Sequence, residues 1–136
     1  MTNNNNVNNS SGFSRRSVFD TTPQLNKTGF SVSSTYITVP QSGNYLIGVN
    51  CFYDNNGDSR TNPGFSIEIN NSRQPEISAS AYARDTTHQR TSSCLNAIYS
   101  LNAGDEVSLT FRQEGQGTGT VTLQGNNSSI FLYLLE

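Results

Sequence analysis

The chain has 136 residues, a mass of 14.8 kDa and a formal net charge of −2, with 13% charged residues against a usual share of about 25%. One domain is the natural unit at this length. The charge gives no broad positive footprint for nucleic acid or acidic membranes, and no apolar run approaches the roughly 20 residues of a membrane span. Full disorder is disfavoured too, because 30 residues are Leu, Ile, Val or Phe while the net charge is small.

Residues 1–12 (MTNNNNVNNSSG) form a polar, low-complexity stretch and are read as a flexible Asn-rich arm ahead of a folded domain over 13–136. The start has no basic region, apolar stretch or small-residue cleavage site. If Met1 is the native start, the chain is not expected to take the ordinary secretory route. The alternative is a segment of a larger protein. From Phe13 onward, Tyr, Phe, Val, Ile and Thr recur in short runs separated by turn residues, and no ten-residue window carries a helical period. The runs predict strands near 15–19, 29–33, 35–39, 44–53, 64–70, 76–83, 92–100, 106–113, 119–124 and 129–135. Turn chemistry separates them at Pro40–Gly43, Asn55–Asp58, Asn70–Ser72, Ala103–Asp105, Gly115–Gly117 and Gly125–Asn127. Asn56-Gly57 is a favoured pair for a tight turn, and 54–58 is read as a hairpin loop. This spacing implies an antiparallel sandwich or jelly roll.

Two strands depart from the alternation expected of a sheet with one wet face. Tyr45-Leu-Ile-Gly-Val-Asn-Cys-Phe-Tyr53 and Ile130-Phe-Leu-Tyr-Leu-Leu135 carry apolar residues at both parities, whereas Phe65-Ser-Ile-Glu-Ile69 and Val107-Ser-Leu-Thr-Phe111 alternate cleanly. One sheet should therefore be covered on both faces. With no helix available as the second cover, another copy of the chain is the simplest occupant.

Three stretches resemble one family. Tyr36-Ile-Thr-Val-Pro40-Gln-Ser-Gly43-Asn-Tyr45, Leu101-Asn-Ala-Gly104-Asp105-Glu-Val107-Ser-Leu109 and Ser128-Ser-Ile-Phe131-Leu-Tyr-Leu-Leu135 are similar, in order and separation, to stretches of the complement globular-head family, sister of the tumour-necrosis-factor-like jelly rolls. Tyr133 departs from that family's pattern, which has Gly there. The resemblance implies a ten-strand antiparallel jelly roll forming a compact homotrimer about its inner sheet. It places Leu46, Gly48, Asn50, Phe52, Cys94, Asn96, Ile98, Phe131 and Tyr133 on the trimer interface. Tyr45, Ile47, Val49, Cys51, Leu95, Ala97, Tyr99, Ile130, Leu132 and Leu134 then face the core. Cys51 and Cys94 would point to opposite faces and stay unpaired thiols.

Chemistry-bearing residues are sparse. His88 is the only histidine and has no nucleophile elbow in the sequence to serve, so it is read as a solvated loop residue and no enzyme is expected. Asp54-Asn-Asn-Gly-Asp58 places oxygens at positions 1, 3 and 5 as calcium loops do, but Ser59 and Phe65 stand where Gly and Glu are required. No cofactor is expected, and calcium stays a minor alternative that the resemblance keeps open. Asp54, Asp58, Arg60, Arg84, His88 and Arg90 are the candidates for ligand contact through exposed loops. Asn3, Asn4, Asn5, Asn6, Arg15 and Arg16 are the candidates for docking on a partner through the arm. The first functional expectation is a structural or adhesive phage virion protein, a capsid decoration or fibre-head module assembled in the host cytoplasm and held to a capsid or fibre protein by its arm. The second is a tip protein binding a cell-surface receptor or glycan through the loops, at a cell surface or outside the cell. The third is a secreted ligand of the tumour-necrosis-factor type.

Overall fold

The computed structural model describes residues 1, 7, 14–20, 29–57, 59–114 and 118–136, with residue 15 described by its backbone alone. Among these residues the strands are β1 Ser14–Arg15, β2 Ser31–Val32, β3 Tyr36–Thr38, β4 Gly43–Asn55, β5 Pro63–Ile69, β6 Ser72–Ser80, β7 Arg90–Leu101, β8 Glu106–Gln113, β9 Val121–Leu123 and β10 Ser129–Leu134. The only helical piece among them is a 3₁₀ turn at Gly125–Asn127. The strands form two antiparallel sheets. One runs β2-β3-β8-β5-β6, with β1 also on β8; the other runs β10-β4-β7, with β9 also on β4.

The sheets bury one parity of each strand against the other. From β4 come Tyr45, Ile47, Val49, Cys51 and Tyr53; from β5 and β8 come Phe65, Ile67, Ile69, Val107, Leu109 and Phe111, all buried. The register sets Phe65 opposite Phe111, Ile67 opposite Leu109 and Ile69 opposite Val107. Leu95, Ala97, Tyr99, Ile130, Leu132 and Leu134 pack against this core, on the side expected of them. Burying a side chain of the Val, Leu, Ile or Phe class contributes about 1.5–3 kcal/mol, so this inner layer is the main stabilising element.

Turn chemistry shapes the end where β5 meets β6. Asn70 and Asn71 have φ of 50° and 64°, and Ile69 pairs directly with Ser72. Two consecutive left-handed residues make a type I′ hairpin turn, and Asn tolerates that region better than most residues. The Asn70 amide donates to Asp105 Oδ1 at 2.8 Å and its Oδ1 accepts from the Glu106 N–H at 2.9 Å. Asp105 Oδ2 accepts from the Asn102 N–H at 2.8 Å, closing a turn in which Gly104 takes φ +91°.

Several expectations need correction. Residues 54–58 are no hairpin loop: Asp54 and Asn55 are strand residues, and the chain then crosses from one sheet to the other, because β4 and β5 belong to different sheets. Asn-Gly favours a local turn but says nothing about whether the flanking strands pair. The run at 15–19 is a strand only over Ser14–Arg15; Val18 and Phe19 enter the core from irregular chain. β6 starts earlier than 76, since the Asn70–Asn71 turn returns the chain into pairing at once, and it ends at Ser80. The wet face expected for β5 and β8 is covered at its middle, with Ser66, Ser108 and Thr110 buried. Ser66 Oγ donates to the Gln74 carbonyl at 2.8 Å, where β6 slips register against β5 and its backbone reaches over the short hydroxyl.

Candidate functional site

The outward face of β10-β4-β7 carries the even-numbered side chains of β4 and β7 and the odd-numbered ones of β10. Register aligns them in rows: Asn44 with Ser100; Leu46 with Ile98 and Tyr133; Gly48 with Asn96 and Phe131; Asn50 with Cys94 and Ser129; Phe52 with Ser92. All nine residues assigned to an interface lie on this face. In the single chain it is bare: Ile98 and Tyr133 are each 65% exposed and Phe131 49%. These are three of the five large hydrophobic side chains exposed among the described residues, and a fourth, Leu135, follows β10 directly. Among the described residues nothing within one chain covers this face, so the cover expected for it would have to come from outside the chain.

The face is also uncharged. None of the five rows holds an acid or a base; one row beyond Phe52, Arg90 Nε stands 3.9 Å from Asp54 Oδ1. Charge depletion at the centre with polar residues at the rim is how protein interfaces are composed. Two hydrogen bonds stiffen its polar positions: Ser100 Oγ donates to Asn44 Oδ1 at 2.6 Å, and Asn50 Nδ2 donates to the Asn127 carbonyl at 3.3 Å. Gly48 has a specific task here, because the Phe131 ring lies over it where any Cβ would collide. Asn44, Ser92, Ser100 and Ser129 complete the face and were not singled out from sequence, although the even parity of β4 and β7 already implied the first three.

The two cysteines stand on opposite faces, as parity implied. Cys51 is buried and Cys94 exposed, and both are free. Burial pushes the Cys51 thiol up to about 12. It lies beside Tyr53, whose buried hydroxyl is also raised well above its ordinary value by desolvation and accepts from Ser93 Oγ at 3.3 Å.

The loop candidates gather at one end of the sandwich. Thr61 and Ala83 exchange backbone hydrogen bonds, and the Asn55 N–H donates to the Gln89 carbonyl, so the segments after β4 and before β7 are joined. Arg60, Arg84, His88 and Arg90 sit there, exposed, but with partners. Arg84 and His88 both face Asp85, at 3.6 and 3.5 Å. The Asp85 carboxyl is held below its ordinary value, chiefly by the His88 backbone N–H, and it closes the turn by accepting from His88 and Thr87. Arg90 faces Asp54, and Arg60 is engaged as well. Arg84 and Arg90 each face a carboxylate, and this end presents paired polar groups. Asp58 lies outside the described residues, and no group of three or more His, Cys, Asp or Glu among those described could hold a metal ion.

Of the proposed docking arm, Asn3, Asn4, Asn5 and Asn6 also lie outside the described residues. Val7, within the same segment, is fully buried, and its N–H donates to the Val121 carbonyl at 3.0 Å. Arg15 belongs to β1, opposite Thr110, and Arg16 is half-buried. Sequence reasoning gave no sign that Val7 enters the core, since one Val among asparagines carries no periodic signal.

Neither a protein-family model nor any curated protein matches the chain. Solved structures do. Eiger TNF from S. frugiperda superposes with a TM-score of 0.53 at 18% identity, over 79% of this chain and 69% of that one. Murine APRIL superposes with a TM-score of 0.56 at 15% identity over 83% of this chain and 84% of that one (structure at pH 5.0), and 0.58 at 14% over 84% and 82% (pH 8.5). At these identities the likeness establishes the fold: an all-β, antiparallel jelly roll of the tumour-necrosis-factor type.

Proposed function

We propose that the chain is a non-enzymatic binding module that assembles as a homotrimer through the outward face of β10-β4-β7 and meets a cell-surface receptor or glycan with its loops. The observation that carries the reading is that face: apolar side chains exposed on rigid strands, five rows without a charge, and a polar rim beginning at Asp54 and Arg90. An apolar surface of this kind marks an interaction site. The tumour-necrosis-factor-like fold of the neighbours supports a second and third copy as its cover. A trimer repeats each loop contact three times, and linked contacts can raise avidity by about 10²–10⁴ where all engage together.

A virion attachment role uses the same trimer but depends on residues 1–19 reaching a capsid or fibre protein. Burial of Val7 and pairing of Ser14 and Arg15 with β8 engage part of that segment within the chain itself, which favours the loop-binding reading. The test is the solution mass of the purified chain by light scattering. Three times 14.8 kDa is expected; a mass of 14.8 kDa at micromolar concentration removes the proposal.

A further inference from the structure

We propose that Asn56 is a deamidation site and that the fold holds it closed through Thr122 and Asn55. Asn56-Gly57 is the one Asn-Gly pair in the sequence, and a following glycine leaves the backbone nitrogen unhindered. In the reaction the Gly57 nitrogen attacks Asn56 Cγ. The new N–C bond forms as the bond from Cγ to the amide nitrogen breaks, and ammonia leaves with the Gly57 amide proton. Water then opens the cyclic imide at either carbonyl, giving aspartate or isoaspartate and one added negative charge. Water is the only co-reactant.

The geometry restrains both partners. The Gly57 N–H, the nucleophile, donates to Asn55 Oδ1 at 3.0 Å. Asn55 is itself fully buried and also spans the loop, its Nδ2 donating to the Ser59 carbonyl at 2.8 Å. The Asn56 carboxamide, which carries the carbon to be attacked, donates to Thr122 Oγ1, and its backbone N–H donates to the Thr120 carbonyl at 2.8 Å. A Cβ at Gly57 would meet Gly119 Cα and the Thr120 nitrogen at 3.2 Å, so close backbone approach retains the reactive glycine. Attack must wait for local opening of this corner, as exchange of protected amides does. Each event adds a carboxyl to the loop end, where Arg84 and Arg90 each face a carboxylate. The inference is independent of the assembly state.

The test is timed incubation of the intact chain at neutral pH and 37 °C, with peptide mapping of the mass gain and of isoaspartate. The chain held in denaturant should convert at Asn56 at least about tenfold faster than the folded chain, reflecting the cost of opening. Thr122→Val should raise the folded rate roughly 2- to 10-fold, the worth of one hydrogen bond. Thr122→Ser should restore it, and Asn56→Gln should abolish the signal. Equal rates in folded and denatured chain overturn the proposal, as does an unchanged rate in a Thr122→Val chain with native circular dichroism. Should that variant not fold, the folded-against-denatured comparison decides alone.

Discussion

Replacing Phe131 with aspartate should separate assembly from folding. Phe131 is 49% exposed in the single chain, so about half of the roughly 1.5–3 kcal/mol of a buried Phe is left to be gained on assembly, about 1 kcal/mol per subunit. The introduced carboxylate would stand over Gly48 in a row whose third member is Asn96, with no cation in that row or either adjacent one. Desolvating it unpaired costs several kcal/mol more, on the order of 3 kcal/mol after relaxation. The sum, about 4 kcal/mol per contact, corresponds to weakening by about a thousandfold at 1.4 kcal/mol per decade. Light scattering across a dilution series should find Phe131→Asp at the single-chain mass where the parent is trimeric. Near-ultraviolet circular dichroism should keep its native form, since the ring lies outside the core. Phe131→Leu should stay assembled. A Phe131→Asp chain that remains three times the single-chain mass at the same concentration would falsify the placement of the contact on this face.

The thiols should report the same event independently. Cys94 should react with a maleimide in the dissociated chain and be protected in the trimer, while Cys51 should react only on unfolding. The Cys51 thiol lies raised from its ordinary 9.0 to about 12, so the folded state holds its proton longer than the unfolded state. Its stabilising contribution is complete below pH 9 and is lost as pH rises from 9 toward 12, and urea midpoints of Cys51→Ala should show less of that alkaline loss than the parent. At the hairpin, Asn71→Ile should lower stability by about 1–2 kcal/mol, because a β-branched residue is forced into the left-handed region, while Asn71→Gly should match or exceed the parent in thermal unfolding.

What could be read in advance was whatever depends on parity and local turn chemistry. The apolar residues at both parities of Tyr45–Tyr53 already implied an inward set and an outward set, and the structure separates them residue by residue. Asn70 and Asn71 were legible as a turn because left-handed backbone selects among few residue types. The errors arose where a local signal was asked for non-local information. Asn56-Gly57 says that the chain turns but not which sheet it turns toward. Ser66, Ser108 and Thr110 look like a wet face, yet all three are buried, Ser66 beneath the β6 backbone at Gln74. Val7 is a single apolar residue in a polar run, and only the partner surface at Val121 reveals its burial. The outward face was placed through the family resemblance together with parity. What covers that face is not written in one chain's pattern, whose lack of charge says only that a protein surface suits it.

Most strand neighbours in this fold are distant along the chain: β1 and β3 meet β8, and β4 waits for β7 and then for β10, the last strand. Among the described residues only the short β2-β3 pair and the Asn70–Asn71 hairpin close locally. Chains dominated by such pairings fold in milliseconds to seconds, far more slowly than helical bundles. Because Ile98 is contributed by β7 and Phe131 and Tyr133 by β10, the face is not assembled until its closing strand docks on β4. In the proposed trimer, subunits should therefore recognise one another only after each has finished folding. The interval before then is when unpaired β4 edges are open to misassociation, and rapid synthesis at high concentration is the condition under which this protein should be hardest to obtain in soluble form.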